Sequence, residues 1–280
     1  MSDKNSVINL GSLSKPATVL IEKISDAIGV VYEPTRIIRK AKAEAEAKKI
    51  LAKADAEIQQ RALNRFLIQQ TKKQANIEEI TKAAIQDLPE DAQVESIEEE
   101  WIIDFFSKCE NVSDKNMQSL WAKILSGEAT KPGSFSKRTV LLVSSLDRKD
   151  AELFAKLSKF IWFLDEQIPL IFDHANPIYT NSDISFETLQ HLDSIGLVSF
   201  NTITGYLRQG YGKNAFAAYK NEGFLIEFNQ DINNQIATGQ VLLTSIGKEL
   251  ASICSSEPNE EFKNFVLQKW SGENMQVRKV

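Results

Sequence analysis

The chain has 280 residues, 42% of them apolar and 25% charged, enough to bury a core in one large domain or two ordinary ones. A net charge of -5 and a pI near 5.3 speak against a surface coated for general nucleic-acid binding, which needs excess cations. No apolar stretch approaches the ~18 residues of a spanning helix, and no basic-then-apolar leader opens the chain. The sequence therefore reads as cytoplasmic, with membrane contact at most peripheral. Cys109 and Cys254 sit in helix-like apolar patterns and read as reduced core thiols.

Residues 1–34 form a polar tail and one amphipathic helix. Ser14 with Pro16 marks its start, and Gly29 and Pro34 end it. Its stripe of Ala17, Leu20, Ile21, Ile24 and Ile28 fits a helix packed in the core or at an oligomer interface. A helix lying on a membrane surface is the alternative, weakened by a polar face of mixed sign.

Residues 35–88 read as one very long charged helix, because no Gly or Pro interrupts the stretch between Pro34 and Pro89. It carries twelve Lys/Arg and seven Asp/Glu, whereas Pro89 to Asp104 carries seven acids and no base. At 1.5 Å per residue it would span roughly 75–80 Å, more than a domain of this size can cover. Its apolar stripe is narrow and Ala-rich, with Leu51, Ala54, Ile58, Ala62 and Phe66 on one side. A strict heptad fails, since Glu44, Arg65 and Lys72 share a column with Leu51 and Ile58. Lateral packing on a second copy or a hairpin partner fits such a stripe, and a solvated linker is the alternative. Leu20, Ile24, Ile28, Leu51, Ala54, Ile58, Ala62 and Phe66 are the candidate interface residues.

Residues 89–164 read as a helical module with apolar faces through Trp101, Phe105 and Phe106, then Trp121, Ile124 and Leu125. Ser113, Ser136 and Asp147 serve as helix caps, and Gly127 as a helix stop. Residues 165–256 change grammar. A helix from Ser185, strands at Leu197–Phe200 and Phe224–Phe228, a long Gly-containing loop between them, a strand at Gln240–Leu243 and a helix capped by Thr244 follow the order of a winged-helix unit. Residues 257–280 add a last helix and a tail. The fold class expected is mainly α with a C-terminal winged-helix-like α+β unit.

Chemistry is sparse. The loop Gly205 to Lys213 fails as a phosphate loop, because Leu207 stands where glycine is needed and Asn214 follows the lysine. Asp173–His174 is an acid/base neighbour pair of a kind common in loop hydrogen bonding. No Cys/His set has metal-ligand spacing, so no cofactor or metal is expected. The expected recognition helix, 185–195, holds Glu187 and Asp193 and neither Lys nor Arg; the loop beyond adds only Arg208, Lys213 and Lys220, of which Arg208 and Lys213 are the candidate nucleic-acid contacts.

The run Trp121-Ala122-Lys123-Ile124-Leu125-Ser126-Gly127-Glu128, followed by Lys131-Pro132-Gly133-Ser134-Phe135-Ser136-Lys137-Arg138-Thr139, resembles the signature of an uncharacterised bacterial family of unknown function. Leu13 to Ala17, Ile28-Gly29 and Tyr32 to Thr35 fit it too. More distantly, the N-terminal helix, its Gly/Pro break and the helix that follows are similar to the abortive-infection alpha family, linked to phage resistance. The resemblance implies a setting in phage defence or prophage biology and no known active site. The function expected is a non-enzymatic homo-oligomer whose C-terminal part senses a protein partner. A winged-helix DNA-binding regulator is the alternative.

Overall fold

The structure, a computed structural model, describes residues 13–30, 56–273 and 275–280. Two compact units meet in sequence between Ser145 and Leu146.

In the first unit, α1 (Lys15–Ile28) begins where the Ser14 hydroxyl accepts the Ala17 N–H at 3.3 Å, and ends at Gly29 with φ 63. Its stripe of Ala17, Leu20, Ile21 and Ile24 is buried, facing α3 (Glu99–Cys109) and the short turn of helix Val94–Ser96. Lys23 fastens the contact by donating to the carbonyls of Glu95 and Ile97 at 2.7 and 2.6 Å. Next in the chain, α2 (Ala56–Gln86) is a single helix of 31 residues. Residues 35–55, where the long helix was also expected, lie outside the described residues.

The unit's core is aromatic. Trp101, Phe105, Phe106 and Trp121 pack edge-to-face or stacked with centroids 5.0–5.1 Å apart, joining α3 to α4 (Lys115–Thr130). Asp114, one residue past the expected Ser113, caps α4 by accepting from Asn116 and Met117. Gly127 does not stop α4; the helix runs on to Thr130. The glycine is there for space, since a Cβ would lie 2.5 Å from the Phe135 ring. Ser136 caps α5 (Lys137–Val143), which packs on α3.

The second unit overturns the mainly α expectation: the protein is α+β. After α6 (Arg148–Leu157), β1 (Ile161–Leu164) and β2 (Glu166–Pro169) form a hairpin turned at Asp165, whose φ of 60 an aspartate tolerates better than most residues. Helices α7 (Pro177–Thr180) and α8 (Phe186–Ser194) follow, α8 capped by Ser185. Then come β3 (Val198–Phe200), β4 (Tyr206–Tyr211), β5 (Asn214–Tyr219), β6 (Glu222–Glu227), β7 (Asn234–Gly239) and β8 (Val241–Leu243). The unit ends with α9 (Ser245–Ala251), α10 (Glu260–Gly272) and β9 (Gln276–Lys279).

These strands do not make a winged helix. The order of elements matched a winged-helix unit, but the connection expected as a long loop contains strands of its own, and β3 pairs with β8, β4 with β7 and β5 with β6. Asn201 N–H to Gln240 carbonyl at 2.8 Å and Phe228 N–H to Lys213 carbonyl at 2.9 Å bridge the gaps between ladders. Residues 198–243 are thus one long hairpin, nested around the turn at Lys220 and interrupted twice. Its tip joins the antiparallel sheet β2-β1-β5-β6-β9. The inner face of that sheet carries Trp162, Tyr219 and Phe224, closed by Trp270 of α10 at 5.0 Å from Trp162. Phe160, Tyr179 and Phe262 extend the same core.

Candidate functional site

Helix α2 lives in two environments. From Asn76 onward it is core: Asn76, Ile77, Ile80, Thr81 and Ala84 are buried, and the helix packs on α4. Asn76 locks the register, donating to the Glu110 carbonyl at 2.9 Å and accepting from Gln118 at 3.1 Å. No residue from Glu57 to Ala75 is buried. Ile58 is 57% exposed, Phe66 42% and Ile68 58%. At 100° per residue, Ile58, Ala62 and Phe66 continue the face that Ile77, Ile80 and Ala84 present to α4. One apolar stripe is therefore covered along half its length and open along the other. Arg61, Arg65 and Lys72, spaced by four and seven, form a cationic flank beside it, all exposed.

The other expected interface residues fall elsewhere. Leu20 and Ile24 are fully buried within the first unit and are core, and Ile28 is half-buried. Leu51 and Ala54 lie outside the described residues. Of the set, Ile58, Ala62 and Phe66 form the open face.

Arg208 enters a shallow cleft of about 360 Å³ between the β1–β2 turn and β4. Its guanidinium pairs with Glu166 and stands 3.8 Å from Asp165, and Glu166 also holds Lys248. The Tyr211 hydroxyl donates to Asp165 at 2.8 Å. Burial, then this carboxylate neighbour, push the Tyr211 phenol up to about 12. Lys213 lies 3.8 Å from Asp231. Both candidate DNA-contacting cations thus face carboxylates of the same unit, and two acids balance two bases in the cleft. Sequence reading missed Asp165 and Glu166 because their partners come from distant strands and α9.

Asp173 and His174 do not form a dyad. Asp173 accepts the Ala175 N–H at 3.0 Å, while His174 Nδ1 meets Gln240 at 2.9 Å and the ring packs against Phe186 and Phe200. A different pair does meet: His191 Nε2 lies 2.7 Å from Asp150. Burial opposes the Asp150 charge, but the histidine and the Asp147 N–H outweigh it and hold the carboxyl below its usual range. Cys109 is buried and its thiol pushed well up. Among the described residues, no group of three His, Cys, Asp or Glu could hold a metal, and no helix is long and apolar enough to cross a membrane.

The outer face of the five-stranded sheet carries exposed Phe163, Phe216 and Val280. Phe216 and Val280 both close over Gly223, where a Cβ would meet each at 3.2 Å.

The block from Trp121 to Thr139 turns out to be a clamp. Glu128, buried at 4% exposure, accepts the N–H of Gly133 at 2.7 Å and of Phe135 at 2.8 Å. The Trp101 indole donates to the Phe135 carbonyl at 2.7 Å. A family described as proteins of unknown function, DUF2806, matches residues 60–267, a span that includes this block. The chain belongs to the DUF2806 family. The match starts inside the open half of α2 and ends inside α10, so this family region takes in parts of both units. No curated protein and no solved structure matches the chain.

Proposed function

We propose that this DUF2806 protein is a non-enzymatic, self-assembling protein whose copies join through the open half of α2. The observation that carries this is the continuous stripe, buried from Ile77 to Ala84 and uncovered from Ile58 to Phe66. A helix with an apolar face needs a surface to bury it, and no other part of the first unit covers that half among the described residues. Recognition of a protein partner falls to the second unit, where Phe163, Phe216 and Val280 supply exposed apolar area. The likeness of the N-terminal helix region to the abortive-infection alpha family supports phage defence as the setting.

The test is the mass of the full-length protein by light scattering across concentration, for wild type and for I58D/F66D. Wild type should assemble, and the double variant should stay folded by circular dichroism and run as a monomer. A monomeric wild type at every concentration would end the reading.

A further inference from the structure

We infer that copies join head to tail, the cationic half of α2 of one copy lying on the acidic face of α3 of the next. This rests on the assembly reading and names its second surface.

Arg61, Arg65 and Lys72 fall within about 40° of one another around the helix, directly beside Ile58. If α2 met α2 of a second copy, the contact would be isologous and would bring these cations together. Like charges brought face to face in an interface cost several-fold more than rim pairs return. The complement of this face is an apolar side chain with negative charge beside it. Helix α3 presents that pattern. Ile103 is 44% exposed, an unusual position for an isoleucine in a short helix with a full aromatic core behind it. Glu99, one turn before it, and Asp104, beside it, flank it with negative charge, and Glu95 and Glu98 are exposed just ahead of the helix. Glu100 already meets Lys137 at 3.2 Å within the chain, so Glu99 and Asp104 are the pair left to a neighbour. Opposite sign and a single apolar contact at the centre make the two surfaces complementary, while each is self-repulsive. Because the surfaces differ, every copy added leaves one of each open, and the contact propagates into a ring or an open chain.

The experiment uses full-length protein in two charge-reversed variants, R61E/R65E and E99R/D104R, measured by light scattering over concentration and salt. Each variant alone should show a dissociation constant raised on the order of a hundredfold. An equimolar mixture should assemble again, since reversed α2 now faces reversed α3 and the two native surfaces face each other. Wild-type assembly should weaken as salt rises. If wild type assembles and E99R/D104R assembles equally well, α3 is not the partner surface and the inference is overturned while self-assembly stands. If wild type never assembles, both fall together. If the mixture stays monomeric although each variant is folded by circular dichroism, the pairing is also refuted.

Discussion

The carboxylate of Glu128 accepts the backbone N–H of Phe135 at 2.8 Å, and the ring of the same Phe135 lies where a side chain on Gly127 would be. Two adjacent residues of α4 thus hold the loop from Lys131 to Ser134, one by charge and one by absence. Replacing Gly127 with Ala should cost about 1–3 kcal/mol through overpacking. Replacing Glu128 with Ala should cost a similar amount by orphaning the buried Phe135 amide and removing the acceptor of Gly133. Urea unfolding of both variants checks this, and a loss below about 0.5 kcal/mol in each would refute the clamp.

The two halves of α2 should respond differently to the same kind of truncation. Ile80→Ala removes a fully buried side chain and should cost roughly 2–5 kcal/mol. Phe66→Ala, measured at a concentration too low for assembly, should change stability by less than about 0.5 kcal/mol. Thermal unfolding at two concentrations separates the two effects, since only the Phe66 variant should lose a concentration-dependent midpoint.

Two glycines with similar backbone should not behave alike. Gly239 has φ 92 and a Cβ there would lie 2.2 Å from the Ile171 carbonyl, whereas Gly210 has φ 88 and open space. Alanine at 210 should cost on the order of 1–2 kcal/mol, the strain of the left-handed region alone. Alanine at 239 should cost more, roughly 2–4 kcal/mol, because a backbone carbonyl cannot step aside. Equal losses would show that the β4–β7 ladder tolerates more movement than its geometry implies.

The Glu222 carboxylate accepts from Lys263 at 2.6 Å and also from Lys279, and these lysines hold its carboxyl below the ordinary 4.5. Its folded value is depressed, so its contribution is fully present above the ordinary value and lost as pH falls through the folded one. Glu222→Gln should therefore lower the unfolding temperature at pH 7 and converge with wild type near pH 2. Parallel curves across that range would contradict the linkage.

Local signals carried over well where chemistry is local. Ser14, Ser136, Ser185 and Thr244 each cap the helix that their position announced. The strands at Val198, Phe224 and Val241 stand near their expected places. What the sequence did not show was which strands pair, and several strands were disguised. In β5 the buried positions are Ala215, Ala217 and Tyr219, so small residues hid the alternation. In β7 the buried positions include Asn234, whose amide donates to the carbonyls of Gly212 and Gln230 at 2.8 Å each, and polarity masked its burial. β9 has Val277 as its one apolar residue and stands on an edge, where no apolar pattern is required. The open face of α2 was legible because helical periodicity does not depend on what covers it. The cleft at Arg208 was not, because its acids and bases are brought together only by the nested ladder.

That ladder also dictates the order in which the second unit can assemble. Tyr219 and Glu222 close a loop of two residues, while Val198 and Leu243 at the open end are joined only through everything between them. Closing the wide end first would cost far more chain entropy than zipping from the tip, where each pair shortens the loop that the next must close. The turn at Lys220 is thus the natural starting point, and its side chain, donating to the Ser158 carbonyl and the Ser256 hydroxyl, is fastened only when the flanking segments arrive. The strand carrying Arg208 zips after that tip, so the cleft acquires its shape later than the tip does and loses it sooner.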